Sequence, residues 1–367
     1  MAAKRLTGAG AENPARRGPN LLAISYLTLF VVLIAGAAAV TFLGDSHAGD
    51  PVVTLELAKA PAIVRKPFNA RSSARQPTEQ GAQMGASVPP PGKITQKLYA
   101  GRALVADPAL IENSPQGPLP RIADDGSAPL RAYAPGFVDD GRPRIAIVIS
   151  GLGISAKATA AALKELPAGV TLAVAPYGAD AQRWVNEARA QGHEVLLEVP
   201  MEPYDFPDSD PGPYTLRSGV DEDANAERLA WALTRFTGYV GVTNLLGDRF
   251  LADPASLEPA LVFLARRGLM FYDNGAASHS AAPDVAARAG IAFAQADTTI
   301  DTIQTAMEID RRLSALEETA HARGSAAGSG FIYPITLDRV SRWAESLSSR
   351  GFVLAPASAI VAQPKSP

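Results

Sequence analysis

Ile145-Ala-Ile-Val-Ile-Ser-Gly-Leu-Gly153 and Gly192-His-Glu-Val-Leu-Leu-Glu-Val-Pro-Met-Glu-Pro203 are the two stretches of this 367-residue chain that decide its fold. In each stretch an aliphatic, β-branched run ends in a turn that carries polar residues or glycine. Such runs are typical of buried strands, and barrel strands present their chemical groups at their carboxyl ends. We therefore expect functional residues directly after these two runs.

From Arg144 onward, short β-branched runs alternate with helical patterns. The predicted strands are Ile145–Ile149, Val170–Ala175, Glu194–Val199, Tyr239–Thr243, Leu269–Tyr272, Ile291–Gln295, Ser325–Gly328 and Phe352–Ala355. The predicted helices include Ser155–Leu166, Ala179–Gln191, Glu222–Phe236, Ser256–Arg267 and Thr302–Arg323. Strand and helix at this spacing predict an α/β fold with a parallel sheet and right-handed crossovers, closed or nearly closed as a barrel.

Both opening stretches resemble motifs of the divergent polysaccharide deacetylases, a branch of the bacterial carbohydrate deacetylases. Three further matches follow in order: Gly241-Val-Thr-Asn244, Phe271-Tyr-Asp-Asn274 and Gly351-Phe-Val-Leu-Ala-Pro-Ala-Ser358. The likeness extends from about Arg144 to Ile360. It implies a deacetylase-like domain over residues 144–361, folded as a distorted (β/α)7-type barrel.

The chain departs from the family pattern at the positions that carry the family's chemistry. Where the first motif has Asp-Asp-Leu-Gly, this chain has Ser150-Gly151-Leu152-Gly153, and Glu198 stands where the second motif has His. Asn-His-Met-Gly becomes Asn244-Leu245-Leu246-Gly247, and the late Gly-His-Pro becomes Gly330-Phe331-Ile332.

The resemblance implies that family members hold a divalent metal such as zinc with one Asp and two His. Such a metal lowers the pKa of a bound water and polarises the amide carbonyl. Because this chain keeps none of the three ligands, we expect no metal and no cofactor, although fold alone does not decide activity.

Several polar residues follow the predicted strands and are expected at the mouth of the barrel. The candidate catalytic carboxylates are Glu198, Asp248, Asp273 and Asp297. The candidate binding residues are Ser150, Tyr204, Asn244 and Asn274. Two carboxylates at a suitable separation can run glycoside hydrolysis, and three or four can hold Mg²⁺ or Ca²⁺. Alternatively, they are ordinary loop carboxylates, some of which cap helices, as we expect for Asp253 before Pro254.

Histidine is scarce, with four in the whole chain. His47 follows the N-terminal apolar segment, and His321 falls on a long, charged helix. His193 precedes its strand and is expected to hold a turn at the amino end of the barrel. His279 alone follows a strand, and a single imidazole does not make a His-rich zinc site.

Composition excludes some classes of function. The net charge of −3 and the isoelectric point near 5.9 provide no electrostatic footprint for nucleic acid, so no nucleic-acid partner is expected. The chain has no cysteine, which excludes disulfides and thiolate metal sites.

The N-terminus predicts the compartment. Residues 21–43 contain no charged side chain and are long enough to cross a bilayer as a helix. Lys4, Arg5, Arg16 and Arg17 precede this segment, so residues 1–20 are expected in the cytoplasm and the C-terminal domain in the periplasm. A cleaved signal peptide, with a site at Ser46-His47-Ala48, is the alternative.

Two further segments precede the barrel. Residues 44–97 are rich in Pro, Ala, Ser and Gln and predict a disordered linker. Residues 98–143 contain more apolar residues and are expected to form an arm that docks on the barrel.

These observations predict a single-pass inner-membrane protein of cell-envelope carbohydrate metabolism with its C-terminal domain in the periplasm. Two classes of function stay open. One is a non-catalytic protein that binds an envelope glycan or a periplasmic protein partner at the mouth. The other is a carbohydrate deacetylase or glycan hydrolase that uses a carboxylate-based site.

Overall fold

The structure, a computed structural model, describes residues 106–361. Its strands are β1 (Ile111–Ser114), β2 (Gly117–Pro120), β3 (Arg144–Leu152), β4 (Thr171–Val174), β5 (Val195–Met201), β6 (Gly241–Leu246), β7 (Met270–Asp273), β8 (Ala292–Gln295), β9 (Thr298–Thr299), β10 (Ser325–Phe331) and β11 (Val353–Leu354). Its α-helices are α1 (Pro129–Tyr133), α2 (Ala156–Glu165), α3 (Ala181–Ala190), α4 (Glu222–Leu233), α5 (Asp248–Leu251), α6 (Pro254–Ala265), α7 (Ala282–Ala289), α8 (Ala306–Arg323) and α9 (Pro334–Leu347).

One parallel sheet curls through the described residues in the order β8-β7-β6-β5-β4-β3-β10-β9. Two residues separate β8 from β9, so the chain itself links the two ends of this order. The short β11 pairs with Arg144 and Ile145 at the start of β3 and lies off the main path. The curled parallel α/β sheet that was predicted is confirmed, and it fits a (β/α) barrel.

The strands bury both faces, which explains why they are continuous apolar runs. In β3, the side chains of Ile145, Ile147 and Ile149 join the core beneath the helices. The alternate residue Val148 joins a second, smaller core together with Ala173 of β4. This second core lies on the opposite face of the strands, inside the curl of the sheet, because successive side chains of a strand alternate between faces.

Polar side chains decide where several helices begin. Asp253 accepts a hydrogen bond from the Ala255 N–H, and Pro254 occupies the first helical turn of α6, so the expected cap at Asp253 is confirmed. Helix α8 begins at Ala306 because the Thr305 hydroxyl accepts from the Glu308 N–H. The predicted start at Thr302 was therefore wrong.

The segment before β3 contributes side chains to both cores. Leu119 of β2 joins the helix-side core, whereas Leu110 and Tyr133 join the interior core. Tyr133 accepts a hydrogen bond from the Asp107 N–H at 3.1 Å, and the guanidinium of Arg189 lies 4.7 Å from its ring centroid. These contacts lie at the amino ends of the strands, which we call the base. The carboxyl ends form the mouth.

Within residues 106–361 no helix is both long and apolar enough to span a bilayer. The predicted cytoplasmic segment 1–20, membrane helix 21–43 and linker 44–97 all lie outside the described residues, as do residues 98–105 of the predicted arm.

Replacing Tyr133 by alanine tests whether the segment before β3 is part of the folded unit. We expect Tyr133→Ala to lower the free energy of unfolding by about 3 kcal/mol, because a buried aromatic ring is lost from the interior core. Chemical denaturation of the full chain measures this change. Tyr204→Ala, which removes a ring that is 61% exposed, is the control and should change stability little. Equal effects of the two substitutions would contradict the prediction.

Candidate functional site

Glu198 is the carboxylate at the centre of the mouth. Val195, Leu197 and Val199 of β5 join the helix-side core, so the alternating residue Glu198 faces the interior of the curled sheet. Its side chain is buried, and its Oε1 accepts a hydrogen bond of 2.6 Å from the backbone N–H of Gly151.

Burial raises the pKa of the Glu198 carboxyl to about 7, although hydrogen bonds from the Gly151 backbone and the Ser150 side chain oppose this rise. The cause is desolvation, which disfavours the charged carboxylate. The group therefore exists in both protonation states near neutral pH. A carboxyl with such a pKa can donate or accept a proton at working pH.

Phe331 packs on the turn that binds Glu198. Gly151 has a φ of +90°, which favours glycine, and a β-carbon at this position would overlap the Phe331 ring. Phe331 ends β10, pairs with Ser150 in the parallel ladder and is 36% exposed. Consequently an aromatic ring occupies the space where a side chain at position 151 would otherwise lie.

Three hydroxyl groups line the interior of the sheet near Glu198. Thr243 pairs with Glu198 on one side and with Tyr272 on the other. The Tyr272 hydroxyl lies 3.2 Å from Ser329 Oγ, and burial raises the pKa of Tyr272. The Thr243 hydroxyl is buried and has no hydrogen-bond partner among the described residues. A polar layer therefore crosses an otherwise apolar interior.

Asn244, in β6, and Asn274, directly after β7, are joined by two hydrogen bonds. The backbone N–H of Asn274 donates to Asn244 Oδ1 at 2.9 Å, and the Asn274 side-chain amide donates to the Asn244 carbonyl at 3.0 Å. The Asn244 side-chain amide donates to the carbonyl of Leu246, which has a φ of +55°. Both ends of the Asn244 side chain thus hold the loops at the mouth, and its role in ligand binding stays a prediction.

The candidate aspartates bind separate parts of the structure. Asp273 is buried and accepts from the Gly275 N–H and the Gln295 side chain. Asp297 pairs with Arg323 at 2.9 Å and accepts from the Ala327 N–H, near the start of β10. Because Ala327 pairs with Ala146, four residues before Ser150, Asp297 lies at a lower level of the sheet than Glu198.

The loop after β5 carries three aromatic residues, Tyr204, Phe206 and Tyr214. Asp248, another candidate carboxylate, accepts a hydrogen bond from the Tyr204 backbone N–H at 3.0 Å. The Tyr204 ring is 61% exposed. In contrast, Tyr214 stacks on Trp231 with ring centroids 3.6 Å apart. Tyr204 is therefore available for an external ring, whereas Tyr214 is used within the protein.

Of the three described histidines, one is buried and two are exposed. His193 is buried beside the start of β5, and its Nδ1 lies 2.9 Å from the Val170 carbonyl oxygen, so the expected turn-holding role is confirmed. Burial lowers its pKa to about 4. His279 and His321 are exposed. Within residues 106–361 no group of three or more His, Cys, Asp or Glu side chains is arranged to hold a metal ion.

Sequence reasoning did not include Thr243, Tyr272, Ser329 or Phe331 among the candidate site residues. Phe331 was noted only as a departure from the family pattern. Its alternation with Ser329 along β10 is the signal that places both side chains on one face. The contact of Phe331 with Gly151, by contrast, depends on the pairing of β10 with β3, which the sequence does not specify.

Replacing Glu198 by glutamine tests whether burial raises the pKa of its carboxyl. A raised pKa means that the folded protein binds the proton more tightly than the unfolded chain, so this carboxyl lowers stability as the pH rises from its ordinary value of 4.5 through 7. We expect Glu198→Gln to match the wild type at pH 4 and to exceed its unfolding free energy by about 3 kcal/mol at pH 8.

Denaturation of the full chain at several pH values measures this difference. The control is Glu318→Gln, which changes an exposed carboxylate on α8 and should show no such trend. A pH-independent difference between the wild type and Glu198→Gln would contradict the prediction.

The chain is similar to known proteins in sequence and in structure. A family model described as the divergent polysaccharide deacetylase matches residues 147–361. The crystal structure of the uncharacterized protein ATU2773 from Agrobacterium tumefaciens C58 is 36% identical, with a TM-score of 0.66 and coverage of 67% of this chain and 100% of that chain.

Two curated proteins are also similar. An uncharacterized protein of Haemophilus influenzae is 25% identical over 194 residues, which are 53% of this chain and 68% of that protein. The uncharacterized protein YibQ of Escherichia coli is 24% identical over 194 residues, which are 53% of this chain and 60% of YibQ. Since the family model spans more than half of the chain, this protein belongs to the divergent polysaccharide deacetylase family.

Proposed function

We propose that this protein is a membrane-anchored, periplasmic member of its family that acts in cell-envelope carbohydrate metabolism by binding a glycan at the mouth. It lacks metal-dependent deacetylase activity. A periplasmic protein partner is the alternative ligand of the mouth. Residues 21–43 anchor this protein in the inner membrane.

The observation that carries this proposal is the contact among Gly151, Glu198 and Phe331. These are three of the positions at which the chain departs from the motifs that carry the chemistry of the family. In this chain the Gly151 N–H binds the Glu198 carboxyl, and the Phe331 ring packs on Gly151. The residues at these three positions are thus linked by one hydrogen bond and one packing contact, both through Gly151.

The residues present do not fit the divalent metal that the family implies. Zinc sites use three or four imidazole, thiolate or carboxylate ligands. Glu198 is the one carboxylate among these three positions, and its Oε1 already accepts the Gly151 N–H. No catalytic step through a metal therefore follows from this site.

The distribution of exposed apolar side chains favours the mouth as the binding face. Six of the eight large hydrophobic residues exposed within residues 106–361 end a strand, follow a strand or begin the next helix at the mouth: Ile154, Tyr204, Leu246, Ile303, Met307 and Phe331. Exposed apolar groups that cluster on one face indicate a surface that binds something. Tyr204 and Phe331 also provide aromatic rings on which sugar rings can stack.

Metal content and acetate release test the catalytic half of the proposal. We expect the purified full chain, incubated with Zn²⁺ and dialysed, to retain no stoichiometric zinc and to release no acetate from N-acetylated oligosaccharides. The physical reason is that loss of a metal-bound water removes many kcal/mol of transition-state stabilisation.

Acetate release that a chelator abolishes would overturn this half. Acetate release that survives the chelator but is lost in Glu198→Gln would instead establish the carboxylate-based enzyme, for which the pKa of Glu198 near 7 is suitable.

Retention on immobilised envelope polysaccharide tests the binding half. We expect Tyr204→Ala to weaken retention of the full chain, because an exposed stacking ring is lost. Val138→Ala is the matched control, since Val138 is 63% exposed but lies between α1 and β3, at the base. Retention that both substitutions leave unchanged would contradict glycan binding at the mouth and favour the protein partner.

A reporter fused after Pro367 tests the topology. We expect a reporter that works only in the periplasm to be active, because the basic residues precede position 21 and Asp45 follows position 43. Activity of a cytoplasm-only reporter at this position would contradict the periplasmic location.

A further inference from the structure

The loop between β5 and α4 holds one arginine in a fixed position. The backbone N–H of Arg217 donates to Asn225 Oδ1 at 3.0 Å, and the Asn225 amide donates back to the Arg217 carbonyl at 2.9 Å. Asn225 is itself buried on α4. One side chain therefore fixes both polar backbone groups of Arg217, which sets the direction in which its side chain leaves the loop.

The guanidinium of Arg217 has an aromatic partner but no anionic one. It lies 4.9 Å from the centroid of the Phe206 ring. Among residues 106–361, no carboxylate forms an ion pair with it, and its Nε–H is buried without a hydrogen-bond partner. Other stacked arginines differ: Arg235 binds the Trp231 carbonyl through Nε, and Arg267 pairs with Glu112.

The next residue repeats this pattern. The Ser218 backbone N–H donates to Glu202 Oε2 at 2.7 Å, whereas the Ser218 hydroxyl is buried and has no partner among the described residues. A buried donor that is left unsatisfied costs about 1–3 kcal/mol. Two such donors on consecutive residues of one loop call for an explanation, because natural structures contain few of them.

Four carboxylates of this region are already engaged, and among the described residues Asp208 forms no ion pair with Arg217. Glu202 binds Ser218 and lies 3.4 Å from Arg249. Asp205 accepts from the Ser209 hydroxyl, Asp210 from the Gly212 N–H, and Asp221 caps α4 through the Asp223 N–H. The loop therefore does not supply an anion to Arg217 from its own side chains.

We propose that Arg217, with the neighbouring Ser218 hydroxyl, forms a subsite for an anionic oxygen group of the ligand, either a carboxylate or a phosphate. This inference rests on the proposed binding function of the mouth and assigns the charge of its ligand. The Nε–H and an adjacent N–H of a guanidinium form a planar fork that matches two oxygens of such a group. Stacking on Phe206 holds the plane of the fork, so little side-chain entropy is lost on binding.

The subsite lies in the same loop as Tyr204, between β5 and α4. Leu216 bridges to Met201 at the end of β5, and the Leu216 carbonyl accepts from the Glu202 N–H. After Pro203, the Phe206 ring stacks on the Arg217 guanidinium. The residues that flank Pro203 and Tyr204 therefore contact the segment that carries Arg217.

The test compares sugars that share one ring and differ in charge. D-glucuronate, D-glucose 6-phosphate and D-glucose are titrated against the full chain in nanodiscs, with binding followed by ligand-observed NMR. We expect at least one acidic sugar to bind about tenfold more tightly than D-glucose. The two acidic sugars distinguish a carboxylate ligand from a phosphate ligand.

Substitutions assign the effect to Arg217. We expect Arg217→Met, which keeps a long side chain over Phe206, to remove the preference for acidic sugars, and Arg217→Lys to restore only part of it because the fork is lost. Arg235→Met is the matched control, since it removes another arginine that stacks on an aromatic ring, beyond the C-terminal end of α4. Ser218→Ala should reduce the preference less than Arg217→Met does.

Equal binding of acidic and neutral sugars by the wild type would overturn the subsite, as would an acidic preference that survives in Arg217→Met or disappears in Arg235→Met. These outcomes are separate from the test of glycan binding. Polysaccharide retention that depends on Tyr204 without any acidic preference leaves the proposed function in place and removes the subsite. A preference for acidic sugars that depends on Arg217, without retention on polysaccharide, supports the subsite and contradicts the proposed binding of envelope polysaccharide.

Discussion

A parallel sheet that curls on itself leaves a narrow interior, and every inward-facing side chain must fit into it. In β3 the large isoleucines at 145, 147 and 149 face the helices, while Val148 faces inward with Ala173 and Ala327 from neighbouring strands. Larger side chains, such as those of Leu196, Met270 and Tyr272, fill the rest of the interior. As a result a polar group inside it is shielded from water and must be satisfied locally or remain costly. The raised pKa of Glu198 and its hydrogen bond of 2.6 Å from the Gly151 N–H are direct consequences of this constraint.

The same constraint separates the two ends of the domain. At the base, Leu110 and Tyr133 join the interior core, and the buried Glu194 carboxyl accepts from the Ser358 N–H and the Thr171 hydroxyl. These contacts close the base with residues from both ends of the described chain. At the mouth the strands end in loops that bind one another through backbone groups, and exposed apolar side chains remain. Binding is therefore expected at the mouth, whereas the base serves stability.

The sequence was sufficient for the parts of the structure that depend on local pattern. The strands predicted from β-branched runs, the cap at Asp253 and the position of His193 all follow from neighbouring residues in the chain. The parts that it did not predict depend on pairing between distant strands. The Phe331 ring meets Gly151 only because β10 lies beside β3, and Thr243 meets Glu198 only because β6 follows β5 in the sheet. Likewise, the sequence does not predict that Arg217 Nε lacks a hydrogen-bond partner among the described residues, because this depends on the contacts of its neighbours.

The contact between Gly151 and Phe331 shows why the substitutions in this chain are best considered together. An aspartate at 151 would need both a left-handed backbone conformation, which non-glycine residues adopt at a cost, and the space that the Phe331 ring fills. The residues at positions 151 and 331 therefore depend on each other, and Glu198, whose pKa is raised to about 7, is buried beside them. The proposed ligand would accordingly bind at the rim of the mouth, at Tyr204 and Arg217, because the centre of the sheet is filled by the contacts among Gly151, Glu198 and Phe331.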